Sequence, residues 1–460
     1  MAIIHQMGLF SWDQVDAASD LERLNLLLAA LPDEDLMRAM EAERKGRRDD
    51  YPIRAMWNSI LAGIVFQHDG VESLRRELAR NGQLRQLCGF DVLRGSKAVP
   101  PEWVYTRFFA RLLRHWKEVE RMFDALIVRL KERLPDLGVR LAVDSKAIQT
   151  HAKPPRKDAV LENEEPDGRR DRDADWGTKT YKGVHKDGTP WEKVKRWFGY
   201  KLHLIVDAKY ELPLGYAVTK ASANDSPLLL PLVEELDARH PELVQRAEYL
   251  SADKAYDSEA NNKGLFEEYE IRPIVDIRTT WKEEPEQPRP LYPERVDTIF
   301  HTERGEVLCR CRNGAPNERD NYEAMAYEGF EQDRGTLKYR CPAKACGSAC
   351  TQQDLCNQGC QPEHGRIVRV PIAIDRRIFT PLPRSAKSWR REYKHRTAIE
   401  RVNSRLDGAY GFERHYIRGM KKMCARTGLA LLVMLGMALG WLEAGQPEYL
   451  RSLVGRPRAA

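Results

Sequence analysis

Val139-Arg-Leu-Ala-Val-Asp144-Ser-Lys146 is the stretch on which the fold turns. Val139 to Val143 reads as a strand that runs straight into an acid, just after Pro135 and Gly138 close a helical block. Downstream, Gly199 to Val206 alternates apolar and polar positions, and a short turn at Asp207 to Glu211 leads to a strand at Leu212 to Thr219, which predicts a hairpin. Ser226-Pro227 is a cap-plus-first-turn signal for a helix to about Ala238. A strand near Glu248 to Ala252 runs into Asp253, and a helix near Ser258 to Tyr269 and a strand near Ile271 to Ile277 follow. Three strands in antiparallel succession are thus followed by two that arrive through helical crossovers, which make right-handed parallel neighbours. The compact solution is an α/β fold with a mixed five-stranded sheet, its first and fourth strands side by side. Asp144 and Asp253 then stand near the ends of adjacent strands.

Outward from this core, residues 1–136 read as helical. Ile53, Met56, Trp57, Ile60, Leu61, Ile64 and Val65 repeat at helical period, a second helix follows near Val71 to Ala79, and Pro100-Pro101 opens a third that runs on toward Leu130. A DNA-binding module and a plain helical bundle both fit this region. Residues 153–192 are highly charged and poor in apolar side chains, and read as a long loop. After Ile277 the pattern breaks: residues 281–365 are rich in Pro, Glu and Arg and hold most of the cysteines. A basic helix from about Ser388 to Leu406 and an apolar helix near Leu429 to Leu442 come next. The expected domains are a helical block at 1–136, a catalytic domain in two parts at 137–280 and 366–445 around a Cys-rich insertion at 281–365, and a tail at 446–460.

The chain has 460 residues, 42% hydrophobic and 31% charged, which supports a real core and argues against a wholly disordered chain. Met1 to Ser11 lacks a basic start and a small-residue cleavage site, and nine cysteines in a chain of this length do not suggest a disulfide scaffold, so a cytoplasmic, nucleoid-associated setting is expected. The uncharged run Thr427 to Leu442 is short for a membrane span and reads as a buried helix, and no membrane partner is expected. The net charge is +6, but Arg384 to Arg426 alone carries 13 Lys/Arg against four acids. That concentration suits a polyanion, although a solvated helical face fits the charge equally well.

Asp144 and Asp253, each after a strand, could be turn formers or metal ligands. On the basic helix, Tyr393, Arg396, Glu400 and Asn403 share one face. Glu400 there, among Arg396, Arg401 and Arg405, is either an ion-pair hub or an acid that holds a metal while the cations hold phosphates. Phosphodiester chemistry needs an activated oxygen and neutralised phosphoryl charge, which two Mg²⁺ ions on a few carboxylates supply.

Three segments together resemble the DDE transposases of bacterial insertion sequences: Leu141-Ala-Val-Asp144-Ser-Lys146, Ala252-Asp253-Lys-Ala255-Tyr256, and Tyr393-x2-Arg396-x3-Glu400 with Thr397-Ala-Ile-Glu400-Arg-Val-Asn403. The resemblance implies a ribonuclease H-like catalytic domain in which Asp144, Asp253 and Glu400 bind two Mg²⁺ (or Mn²⁺) ions. Arg396 would hold a phosphate, and Tyr393 would orient it or the nearby strand. It further implies cleavage at the element's end, attack of the freed 3′-hydroxyl on target DNA, and a homodimer or higher assembly that holds two DNA ends. One position departs from the pattern: the family signature often has Lys seven residues after the Glu, where this chain has Asp407. Trp281 could stack on a flipped base, as an aromatic does in some relatives, or be an ordinary core or surface Trp.

Cys341-x4-Cys346-x3-Cys350-x5-Cys356, with Cys360, Cys309, Cys311 and His364 nearby, could close a structural Zn²⁺ site or be free thiols. A small segment with little core usually needs such a staple. Trp191, Lys193, Lys195, Arg196, Trp197, Phe198 and Lys201 interleave cations with aromatics, which suits either a DNA-tracking surface or a hairpin edge with its aromatics packed inward. With Tyr393, Arg396 and Arg401, residues Lys193, Lys195 and Arg196 are the DNA-contact candidates. The rivals to a transposase are a ribonuclease H-like nuclease that cuts without joining and a catalytically idle DNA-binding protein of transposase descent.

Overall fold

A computed structural model describes residues 20–43, 50–154, 171–185, 187–282, 287–294, 298–311, 321–347 and 365–451. In chain order the helices are α1 (Asp20–Ala30), α2 (Glu34–Ala42), α3 (Ile53–Val65), α4 (Val71–Arg80), α5 (Gly82–Cys88), α6 (Glu102–Leu112), α7 (Trp116–Arg133), α8 (Leu229–Arg239), α9 (Pro241–Gln245), α10 (Glu259–Glu267), α11 (Pro342–Ala345), α12 (Lys387–Tyr393), α13 (Thr397–Tyr410) and α14 (Met420–Glu443). The strands that matter to the site are β1 (Arg140–Gln149), β2 (Asp175–Val184), β3 (Pro190–Asp207), β4 (Leu212–Lys220), β5 (Tyr249–Ala252) and β6 (Arg272–Val275). Seven short strands follow: β7 (Arg289–Pro290), β8 (Ile299–His301), β9 (Val307–Cys311), β10 (Asn321–Ala324), β11 (Ala326–Glu331), β12 (Thr336–Arg340) and β13 (Ile367–Pro371).

The chain divides into two compact units, one of residues 1–137, 145–223 and 399–460, the other of 138–144 and 224–398. In the first unit the helical block forms as its periodicity predicts. Nearly all of α3 is buried, and the Asp33 carboxylate beneath it accepts from Trp57 Nε1 at 2.7 Å and pairs with Arg54. Asn81 caps α5 by accepting from the Leu84 amide at 3.0 Å. The helix expected to run from Pro101 toward Leu130 is instead two, α6 and α7, with a break at Leu113 to His115. The apolar α14 packs on α1, α7 and β4. Its most apolar window is long enough to cross a membrane but is 83% buried inside the protein, as the buried-helix reading expects. Its glycines let neighbours approach closely. A Cβ at Gly440 would sit 2.9 Å from the Leu26 carbonyl oxygen, and one at Gly428 would sit 2.6 Å from the Trp116 ring.

The segment read as a loop at 153–192 contains β2 and the first residues of β3, and this is a correction. Here β3 begins at Pro190 rather than near Gly199 and pairs antiparallel with β2 over ten residue pairs, from Asp175↔Gly199 to Val184↔Pro190. The apolar alternation that marks a half-buried strand is missing because residues 190–196 are exposed to water. Further along, β3 is buried and pairs with β4. At the base of the β2–β3 pair, Asp171 is buried and accepts from Thr150 Oγ1 at 2.6 Å, Tyr200 OH at 2.6 Å and the Gly419 amide at 2.8 Å. Burial pushes the Asp171 carboxyl up, but these hydrogen bonds outweigh it and hold the group below its ordinary value. A carboxyl held low stabilises the fold fully above its unfolded pKa, and that stability is lost as pH falls through the folded value. Asp171→Ala is therefore expected to lose about 2–4 kcal/mol at neutral pH, since it strands the Tyr200 and Thr150 hydroxyls. Urea denaturation at pH 7 and at successively lower pH checks it: the gap between wild type and variant should narrow in acid.

In the second unit the first half of β1 pairs parallel with β5, from Arg140↔Tyr249 to Val143↔Ala252, and β5 pairs parallel with β6, from Tyr249↔Arg272 to Ala252↔Val275. The helices α8 to α10 make the crossovers. Ser258 caps α10 by accepting from the Asn261 amide at 3.1 Å. The first and fourth predicted strands, β1 and β5, are indeed neighbours. The mixed sheet has six strands rather than five, in the order β2-β3-β1-β5-β6 with β4 also on β3; the extra one is β2. Among the described residues that follow, β7 to β10 form one small antiparallel sheet and β11 to β13 another. Ile299, Val307, Leu337, Tyr339, Val370 and Phe379 bury a shared core there, so the premise that this stretch has little core and needs a staple does not hold.

Candidate active site

Asp144 follows Val143, the last β1 residue paired with β5, and Asp253 follows Ala252, its register partner. The two acids therefore leave the parallel ladder at matching positions. Asp144 does not end its strand, because β1 continues to Gln149; it marks where pairing with β5 stops. Asp253 is half-buried, and its carboxylate accepts from the Ala255 amide at 2.6 Å, capping the short turn Lys254–Tyr256. Asp276 stands one residue beyond Val275, the register partner of Ala252 on β6, and accepts from Arg304 at 3.0 Å. Three neighbouring parallel strands thus each lead into an aspartate. Asp276 was missed in the sequence because the predicted strand was carried through it to Ile277.

The basic stretch is not one helix from Ser388 to Leu406. It breaks into α12, a tighter turn at Lys394–Arg396, and α13. The segment α12 packs on β5 and β6. Its Glu392 is buried and accepts from Arg140 Nε at 2.8 Å, and the Ser251 hydroxyl donates to its main-chain oxygen at 3.4 Å. Burial raises the Glu392 carboxyl, and the Arg140 hydrogen bond and charge more than reverse that. This fixes the helix over the strand ends. From it Tyr393 stacks on Trp389 with ring centroids 4.7 Å apart, and burial pushes its phenol up. Arg396 lies 5.8 Å over the Tyr393 ring and 3.7 Å from the Asp144 carboxylate. Glu400 is exposed in the first turn of α13 and belongs to the other unit.

Below Asp253 a second set of charges holds the chain. Asp257 and Arg384 side chains are fully buried and 3.8 Å apart. Asp257 also accepts from the Arg278 amide at 2.9 Å and from Arg377 at 3.2 Å. Arg384 donates to the carbonyls of Val275, Arg377 and Ile378 at 2.9, 2.9 and 3.1 Å. Burial pushes the Asp257 carboxyl up and brings Arg384 down to about 10, which leaves the guanidinium charged at neutral pH.

Other candidates are placed as follows. Arg401 donates to Glu211 at 2.6 Å, and Arg405 lies 3.6 Å from the same carboxylate. Arg426 donates to three carbonyls, of Gly411, Phe412 and Arg414. Several cations of the +9 stretch therefore serve the fold. Asp407, where the family signature often has Lys, pairs with Lys146 of β1 at 2.5 Å, and Lys146 also reaches Glu413 at 2.8 Å. Lys193, Lys195 and Arg196 lie on the exposed part of β3, while Trp197 and Phe198 are buried at its base. Trp281 is half-buried against the insertion core, with Arg289 3.9 Å over its ring. Cys341 is buried and Cys346 exposed, whereas Cys350, Cys356, Cys360 and His364 lie outside the described residues.

Among the described residues, no group of three or more His, Cys, Asp or Glu side chains is gathered to hold a metal ion. The donor types still suit Mg²⁺ or Mn²⁺, since these ions take carboxylate oxygens and are commonly bound through one or two of them plus substrate phosphates. A family model described as "Transposase DDE domain" matches residues 136–435, more than half of the chain. The chain belongs to the DDE transposase family. This transposase is also similar to a solved structure titled "Cryo-EM structure of piggyBac transposase synaptic complex with hairpin DNA", at 10% identity and a TM-score of 0.37, over 96% of this chain and 80% of that one. No curated protein matches it.

Proposed function

We propose that this transposase cuts DNA at the ends of a mobile element and joins the freed 3′-hydroxyl to target DNA, using a ribonuclease H-like site made of Asp144, Asp253 and Glu400. The observation that carries the reading is the register of β1 and β5, which leads Asp144 and Asp253 out of adjacent parallel strands with Arg396 against Asp144. The three carboxylates would hold two divalent cations. Bound there, the cations supply activation of the attacking oxygen and neutralisation of charge on the phosphoryl and leaving oxygens.

In the first step a water oxygen forms a bond to phosphorus while the bridging bond to the 3′-oxygen breaks, and that oxygen takes up a proton. In the second step the 3′-hydroxyl loses its proton, forms a new phosphodiester and releases the target strand's 3′-oxygen. One phosphodiester replaces another, so no nucleotide cofactor is consumed. Arg396 can pass from the Asp144 carboxylate to a phosphate oxygen, and the Tyr393 ring holds the guanidinium in place for that exchange. Two DNA ends require a homodimer or higher assembly.

The test is an assay of the full chain with a pre-cut duplex end, supercoiled target DNA and Mg²⁺ or Mn²⁺. Joined products that vanish with chelator are expected. Cleavage without joining would favour the nuclease, and DNA binding with neither would favour the idle binding protein.

A further inference from the structure

The arm formed by β2 and residues 190–196 of β3 plays no part in that chemistry. The exposed part of β3 alone extends roughly 20 Å at the usual rise per strand residue. Register partners on antiparallel strands share a face, and successive pairs alternate between faces. One face therefore carries Gly177↔Trp197, Lys179↔Lys195, Tyr181↔Lys193 and Gly183↔Trp191. The other carries Thr178↔Arg196, Thr180↔Val194 and Val184↔Pro190.

The glycines show how the first face is built. A Cβ at Gly177 would meet the Trp197 ring at 2.3 Å, and one at Gly183 would meet the Trp191 ring at 2.5 Å, so each indole lies across the glycine of the facing strand. Between these two indoles stand three lysines and a tyrosine and no acid. Lys179, Lys193 and Lys195 are exposed, and among the described residues none has a carboxylate partner. Lys179 Nζ lies 5.9 Å over the Tyr181 ring. Tyr181 and Trp191 are exposed, at 41% and 37%.

Lysines placed only to keep an arm soluble need no common face. Like charges directly opposite one another destabilise a strand pair, and Lys179 faces Lys195. An anion that bridges them reverses the sign of that interaction. A two-stranded ribbon fits the major groove of a duplex, and lysines two apart on a strand follow a regularly charged backbone.

We propose that this face is a contact for the phosphate backbone of duplex DNA, which positions the nucleic acid without reading its bases. Of the three β3 cations singled out in the sequence, Lys193 and Lys195 belong to it with Lys179 and Tyr181, while Arg196 is on the reverse. The proposal deepens the transposase reading and rests on it.

The test measures binding of the full chain to two mixed-sequence duplexes of unrelated sequence, by fluorescence anisotropy across a salt series without divalent cations. For a variant carrying Lys179→Gln, Lys193→Gln and Lys195→Gln, the slope of log Kd against log salt should flatten by about 2 to 3, with affinity down on the order of 10- to 100-fold on both duplexes. The same three positions changed to Arg should bind like wild type, which separates lost charge from lost folding. An unchanged slope, a loss confined to one duplex, or a loss of self-association with DNA affinity intact would overturn the proposal. If wild type cleaves and joins while the Gln variant binds as it does, only the arm assignment falls. If wild type binds neither duplex, the transposase reading falls as well.

Discussion

Asp144→Asn is expected to remove metal-dependent DNA cleavage while leaving the protein folded. A carboxylate that holds a catalytic cation contributes several kcal/mol of transition-state stabilisation, so the rate should fall on the order of 10³-fold. Asn has nearly the same shape and keeps an oxygen toward Arg396, whose distance of 3.7 Å from Asp144 marks a loose pair. Stability should therefore change by less than about 1 kcal/mol. Asp253→Asn should behave alike, because Asn can still cap the turn at Ala255. Single-turnover cleavage with Mg²⁺, and again with Mn²⁺, measures the loss, and thermal melting confirms the fold. A variant at Asp144 that cut at the wild-type rate would remove that residue from the site.

Arg384→Ala should cost about 3 kcal/mol in urea denaturation, a loss of the same size as that of Asp171→Ala. Removing one partner of a buried ion pair leaves the other charge without compensation, which typically costs about 3–5 kcal/mol. The lower end applies because Arg377 remains 3.2 Å from Asp257. Three carbonyls also lose their donor, one of them at the last residue of β6. Adding Asp257→Asn to the same chain should recover part of the loss, since the stranded charge then disappears. If the double variant were as unstable as the single, the cost would lie in the carbonyls rather than in the carboxylate. Asp257 is four residues beyond Asp253, so the single variant should also loosen the turn that carries that acid.

Asp144 and Asp253 were legible because each follows a short apolar run, and the element order brings those two strands together. An apolar run forces a strand, and the crossover helix α10 makes β5 and β6 parallel neighbours, while β1 pairs parallel with β5 on its other side. What lay outside the sequence signal was settled by contacts that leave no period. The β2–β3 arm is wet along its outer half, so no burial alternation marks its strands, and the sequence reads residues 153–192 as loop. The insertion draws its core from single residues spread between Ile277 and Phe379, one or two per short strand. The basic stretch is two helices rather than one, and Trp389 and Glu392 bury the first of them on β5 and β6, a contact that charge spacing does not reveal. The excess of cations overstated the free positive surface, since Arg384, Arg401, Arg405 and Arg426 are each bound to groups of this chain.

The placement of α14 bears on how the protein is made. Its partners α1 and α7 emerge from the ribosome some hundreds of residues before it does. Until then, the sides of those helices that Gly428 and Gly440 later approach have nothing to pack against. The first unit completes its packing only when this late segment arrives, so until then that apolar surface stays open to non-native contacts.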